Sequence, residues 1–310
     1  GEKTGAYLSY STSENQKINV RVGISYISCG KAKENLKQIT TWDFNKVHTQ
    51  AVSEWNNILN KIEFHYTYII MAFGLVITGH FVNLIIFTSL IIIHEMGHII
   101  ISKILSYKID KVIIYPYGGF VKLNTRINTK IENDLLVAIS GIIMQSIYFG
   151  IIFFLYRNGI VREYIYSLFL LYHKSMLIFN LLPIYPLDGA KIVNLILSKY
   201  FSFNIANYIS IVISLITVVL FLYSDIYENN YSIILVIGVL MKNIYKFYKD
   251  ISYIYNRFIL ERYLFKFNYK KKVIIKNKDK MYKNRVHIFN DNGKLINEKE
   301  YISTFFEKKP

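Results

Sequence analysis

Apolar residues are unevenly spread along the chain. From Phe64 to Tyr248 they run in long blocks, while both flanks are mixed and polar. Each block approaches the ~20 residues that an α-helix needs to cross a hydrocarbon core. The blocks predict six membrane spans, at about 64–79, 82–105, 132–156, 164–182, 204–224 and 230–248. The fourth leads into a broken stretch, Asn180 to Gly189, and then a further apolar helix at 190–200. Between the second and third, Lys111 to Leu123 is rich in Val, Ile and Tyr around Tyr117-Gly118-Gly119, which predicts strand, turn, strand. The expected fold is mainly α, a polytopic bundle of about six spans with one short β hairpin.

The flanks divide the rest. Residues 1–63 read as a small soluble segment with a strand-like run at Ile18–Ser28 and an amphipathic helix at Asp43–Ile62, Asp43 its N-cap. Residues 64–248 form the membrane domain, and residues 249–310 a basic tail. The tail opens as an amphipathic helix through Arg262 and closes on a hairpin around Asn290-Asp291-Asn292-Gly293. No signal peptide is expected, because no early apolar core follows basic residues.

Composition and charge sharpen this picture. The apolar share is 53% and the mean hydropathy +0.26, both high for a soluble chain. The net charge of +16 is concentrated after the last span, where residues 242–310 carry 18 Lys/Arg against 7 Asp/Glu. Basic residues beside a span stay on the cytoplasmic face and are drawn to anionic lipid heads. The expected partner is therefore the bilayer, with no nucleic acid, and the expected location a cell membrane, multi-pass, with both termini cytoplasmic. A lone cysteine, Cys29, excludes an internal disulfide and an all-thiolate metal site.

The chemistry lies inside the spans. His94-Glu95-Met96-Gly97-His98 sets an H-E-x-x-H pattern in the second span. Residues four apart lie ~40° apart around a helix, so His94 and His98 can offer two imidazoles to one ion, with Glu95 beside them as a general base. The plain alternative is two satisfied buried histidines and a helix-end carboxylate. Hydrocarbon weakens it, since ionisable groups at that depth have partners and a task. A catalytic zinc takes three protein ligands and leaves one position open. Asp188 is the candidate third ligand. It follows Pro183 and Pro186, which break the helix at membrane depth, where such a break must border protein or a water-filled cavity. The alternative for Asp188 is an N-cap. Asn180 is a candidate for the substrate backbone or the oxyanion, its alternative a local cap. The hairpin bearing Gly118 and Gly119, near the active site, is a candidate edge for an extended substrate, its alternative an ordinary loop.

These two motifs at this separation resemble the site-2 protease family of intramembrane metalloproteases, and its sporulation branch most closely. The likeness runs from about Ile62 to Phe267. It includes Thr78-Gly79-His80, Pro116-Tyr117-Gly118-Gly119, Asn180 to Gly189 and Leu260-Glu261-Arg262-Tyr263. The resemblance implies six spans, Zn2+ and cleavage of a membrane-associated pro-protein such as a pro-sigma factor, with membrane regulatory proteins as further partners. Two departures stand out: Ser140-Gly141-Ile142 replaces the common Ala-Gly-Pro, and the tail looks too short for the branch's nucleotide-sensing domain. The competing reading is a non-enzymatic membrane protein, a regulator or transporter. Residues 1–63 resemble the linker of family 92 glycoside hydrolases through Val22 to Tyr26, Ala32 to Leu36, Trp42-Asp43-Phe44 and Trp55-Asn56. No complete catalytic domain accompanies that likeness, so no glycosidase activity is expected. His65, His80, His48, His173 and His287 are read as structural, and Tyr245, Phe247 and Tyr248 as marking the membrane interface.

Overall fold

The computed structural model describes residues 62–223, 232–269, 271–291 and 293–306, with 29–37, 44–59 and scattered positions before residue 44. It forms two compact units, Gly1–Asn60 and Lys61–Pro310. The first holds α1 (Cys29–Lys37) and α2 (Phe44–Leu59). Asp43 caps α2, its Oδ1 accepting from the Asn45 amide at 2.9 Å. Most of the Ile18–Ser28 run lies outside the described residues.

The second unit opens with β1 (Ile62–Phe64), α3 (Tyr66–Ile77), α4 (Phe81–Ile104), β2 (Lys108–Tyr115), β3 (Gly118–Asn124) and α5 (Ile131–Arg157). It continues with α6 (Glu163–Leu181), α7 (Asp188–Tyr200), α8 (Phe203–Tyr223) and α9 (Ser232–Leu264). Then come β4 (Lys271–Ile275), β5 (Arg285–Asp291), β6 (Lys294–Asn297) and α10 (Glu298–Phe306). Among the described residues, three helices are long and apolar enough to cross a membrane: Phe81–Ile104, Ile131–Arg157 and Phe203–Leu222. The others depart from the expected spans for visible reasons. The α3 helix has 12 residues, about 18 Å at 1.5 Å per residue and well under a ~30 Å core. His173, Lys174 and Asn180 dilute the apolar character of α6. The expected division near residue 250 is absent, because neither Pro nor Gly interrupts α9 there, and it runs on for 33 residues.

The expected hairpin is present, with β2 and β3 antiparallel and Tyr115 opposite Gly118 across a two-residue turn. An unexpected third strand joins it: β1 pairs parallel with β2, Ile62 beside Val112. With strand order β1-β2-β3, the outer edge of β3 has no strand beside it among the described residues. Below the sheet, Leu90, Ile91 and Ile114 are fully buried with Phe169 and Met176.

The tail is a folded unit. Strands β4 and β5 run parallel, β5 and β6 antiparallel, and α10 packs beneath them. Phe258, Met281, Phe289 and Ile302 form its core, all with no exposed surface. Glu261 and Arg262 tie it to residues 127 and 128 of the same unit. Glu261 Oε2 accepts from the Ile127 and Asn128 amides at 2.7 and 3.1 Å. Arg262 donates to Asn128 Oδ1 and Glu298 Oε1, both at 2.8 Å, and to the Tyr282 carbonyl at 2.7 Å. These contacts hold the β3–α5 loop against the end of α9.

Burial alone would raise the Glu298 carboxyl, but its hydrogen bond to His287 and the Arg262 charge outweigh that and bring it down to about 2. Burial pushes the His287 imidazole down, against the pull of Glu298. Both folded values lie below the unfolded ones, so the unfolded tail binds protons first on acidification. Stability is therefore expected to fall as pH drops below 6.5 through His287, and again below 4.5 through Glu298. Hydrogen exchange of residues 271–306 between pH 7 and 4 tests this on the full chain; protection that rises on acidification would contradict it.

Candidate active site

One turn of α4 puts the His94 and His98 rings 5.0 Å apart, with their Nε2 atoms separated by 3.3 Å. Asp188, the first residue of α7, brings Oδ2 to 3.0 Å from both nitrogens. All three side chains are buried, as is Glu95. The N-cap of α7 is Leu187 and makes no side-chain cap bond, so Asp188 is turned into the site and its capping alternative is not realised.

The hydrogen bonds around the rings fix their tautomers. Nδ1 of His98 donates to the Val137 carbonyl at 2.7 Å. Nδ1 of His94 donates to Gln145 Oε1 at 3.1 Å. Each neutral imidazole then points an Nε2 lone pair at the Asp188 oxygen, itself an acceptor. Three acceptors converging on one point favour a positive charge between them, a proton or a metal ion. The triangle's edges of 3.0, 3.0 and 3.3 Å match the ~3.3 Å edge of a tetrahedron with zinc–ligand bonds of about 2.0 Å. The donor set, two imidazoles and a carboxylate, suits Zn2+. Reactive groups of His94, Glu95 and His98 all lie within 4.8 Å of one another.

Backbone chemistry makes the room. A Cβ on Gly141 of α5 would stand 2.4 Å from His98 Nε2 and 2.7 Å from His94 Nε2, inside the space the three acceptors share. A Cβ on Gly97 would meet the Ser140 carbonyl at 2.4 Å, so glycine lets α4 and α5 approach closely enough for these contacts. A Cβ on Gly119 of β3 would meet Glu95 Cγ at 2.3 Å, so the strand lies directly against the carboxylate. The broken stretch before α7 has its backbone satisfied by α8: Ser214 Oγ donates to the Pro183 carbonyl at 3.0 Å and accepts from the Tyr185 amide at 3.2 Å.

Asn180, Gly118 and Gly119 line a cavity of about 280 Å³ together with His94, Glu95 and Asp188. All seven residues singled out from the sequence thus meet in one place. The other histidines lie elsewhere or serve it indirectly. His65 caps α3, accepting from the Thr67 amide; His80 precedes α4 with its ring on Thr78; His48 stacks on Phe44; and His287 is bound to Glu298. Phe247, expected at the membrane interface, instead stacks on Tyr185 at 4.3 Å and lines the cavity.

Two residues that sequence reasoning passed over complete the site. Lys191 donates to Asp188 Oδ1 at 2.8 Å, leaving Oδ2 for the histidines. Gln145 joins His94 to α6, its amide donating to the His173 carbonyl at 3.0 Å. A polar residue with no exposed surface in the middle of an apolar span was the available signal. Partners of this kind, once removed, typically cost 10–100-fold in metal affinity. Gln145→Leu is expected to lower zinc affinity within that range, and Gln145→Glu, which keeps the acceptor, to retain it. Competition with a chelator measures both, and equal affinities in the Leu variant and the native chain would refute the role.

Residues 82–161 match the model of peptidase family M50. Over 237 residues the chain is 30% identical to stage IV sporulation protein FB of Bacillus subtilis, covering 74% of this chain and 82% of that protein. Over 157 residues it is 29% identical to a zinc metalloprotease of Methanocaldococcus jannaschii, 46% of this chain and 44% of the relative. A stretch of 65 residues is 40% identical to an uncharacterized secreted glycosidase of Arthroderma benhamiae, but spans only 8% of it.

Proposed function

The chain belongs to peptidase family M50 and is a zinc metalloendopeptidase of the site-2 protease type, and from that premise we propose that it cuts a membrane-associated pro-protein at the site formed by His94, Glu95, His98 and Asp188. The observation that most supports this reading is the convergence of three acceptors, His94 Nε2, His98 Nε2 and Asp188 Oδ2, with a buried carboxylate beside them. His94, His98 and Asp188 would hold the zinc, which when bound supplies the positive charge that acidifies water and polarises a carbonyl.

The remaining steps belong to the protein. Glu95 takes the proton as water attacks the peptide carbonyl carbon, then returns it to the leaving amine as the C–N bond breaks. Asn180 donates either to the developing oxyanion or to the substrate backbone. A helical substrate hides its carbonyls, so the scissile segment must be extended, and the free edge of β3 at Gly118 and Gly119 offers it main-chain partners. The sporulation-branch resemblance supports a pro-sigma factor as substrate.

The apolar blocks and the basic tail support a multi-pass chain with its C-terminal tail in the cytoplasm; a reporter fused at Pro310 should therefore be active only inside the cell. Co-expression with a candidate pro-sigma factor tests the activity. Native protein should release the mature form, and a native chain that holds zinc yet leaves every candidate uncut would overturn the proteolytic reading.

Residues before the β1 strand contribute no proposed ligand or base. A chain beginning at Lys61 is expected to insert, bind zinc and cleave as the longer chain does. A chain beginning at Tyr66 loses β1 and its pairing with Val112 to Ile114, and should cleave more slowly. Normal zinc with no cleavage in the Lys61 chain would make residues 1–60 a docking or regulatory segment instead.

A further inference from the structure

A second cavity, of about 440 Å³, adjoins the one at the metal site and shares His98, Tyr185 and Phe247 with it. Its size lies within the roughly 300–1,000 Å³ typical of ligand sites. The walls are largely apolar, with Val121 and Leu123 of β3 facing Val137 of α5, Leu195 of α7 and Ile254 of α9. Polar side chains reach the cavity as well, among them Arg126, Asp134, Asn194 and Arg257, and one of the polar groups is left unpaired. Asn207, only 3% exposed, accepts at Oδ1 from Asn194 at 2.8 Å, and its Nδ2 has no hydrogen-bond partner among the described residues. A buried donor left unpaired is costly, so this amide favours an incoming acceptor.

β3 connects the two cavities. Gly119 sits against Glu95, while Val121 and Leu123, two and four positions further on, line the second cavity. A substrate strand lying antiparallel along β3 would enter from the Asn124 end and reach Glu95 at Gly119. Its residues about two to four positions N-terminal to the scissile bond would then lie over the second cavity, since paired strands advance together at ~3.3 Å per residue.

We propose that this cavity is a specificity subsite, receiving a large apolar side chain of the substrate N-terminal to the cut while Asn207 Nδ2 donates to a main-chain carbonyl of the same segment. The inference rests on the proteolytic reading above.

The test uses the full-length protein in detergent, a randomised peptide library, and mass spectrometry of the cut sites. The native chain should favour Leu, Ile or Phe over Ala at one of those N-terminal positions by about tenfold, the scale on which apolar pockets discriminate. Val121→Trp narrows the cavity and should shift preference there toward Ala. Val121→Ala widens it and should shift preference toward Trp, which guards against misfolding of the first variant. Asn207→Leu should raise KM about tenfold with zinc content unchanged. Preferences that both Val121 variants leave unmoved, or that move only C-terminal to the cut, would overturn the subsite while leaving proteolysis standing. A native chain that cuts no peptide would overturn both.

Discussion

Gly141→Ala is expected to purify with almost no zinc, although it adds a single methyl group and improves the helix propensity of α5. The new carbon would stand 2.4 Å from His98 Nε2 and 2.7 Å from His94 Nε2, in the space where these nitrogens and Asp188 Oδ2 converge. Neither ring can retreat. His98 is tied to the Val137 carbonyl and His94 to Gln145, both on the same helix as the intruding methyl. Affinity should fall at least about 100-fold, the upper end for losing a supporting partner alone. Elemental analysis of the purified variant measures it, with circular dichroism showing that the helices persist. Zinc at the native level would mean that the ion sits elsewhere.

Glu95→Gln should do the reverse, holding its zinc and losing turnover. General-base contributions of about 10²–10⁴-fold are typical, and the amide cannot accept the proton. Gly119→Ala is a sharper form of the same test, because the three atoms nearest its Cβ all belong to Glu95, Cγ at 2.3 Å the closest. It too should bind zinc normally and cleave at least about tenfold more slowly, since a displacement of about 1 Å can cost far more. Side-by-side rates and zinc contents check both variants. A Glu95→Gln protein that still cleaves would remove Glu95 from the base role.

What could be read from the sequence was whatever is written in local spacing. His94 and His98 share a helix face because they stand four apart, and the Pro183–Pro186 break announced an interruption just ahead of Asp188, which opens the next helix. The Val, Ile and Tyr content of Lys111 to Leu123 around Tyr117-Gly118-Gly119 encoded the hairpin. Harder to read was everything that depends on a neighbour distant in sequence. Ile62–Phe64 is too short to signal a strand alone and becomes one by pairing with residues 112–114. Gln145 and Gly141 matter because α5 packs on α4: a polar residue inside an apolar span and the Ser140-Gly141-Ile142 departure mark the positions, but the histidines they meet are distant in sequence. Leu260 to Tyr263 carried the family likeness without a reason, which emerges only when Glu261 and Arg262 are seen holding the 127–128 loop and the tail together. The tail's charge masked a folded unit, since its core residues are few and spread over four elements.

Zinc-edge X-ray absorption on the purified chain should show one zinc per chain in a four-coordinate shell of nitrogen and oxygen at about 2.0–2.1 Å, carrying the scattering of two imidazoles and dropping to one in His94→Ala. A shell containing sulfur, an imidazole count unmoved by that substitution, or a protein that binds no zinc would contradict the site at His94, His98 and Asp188.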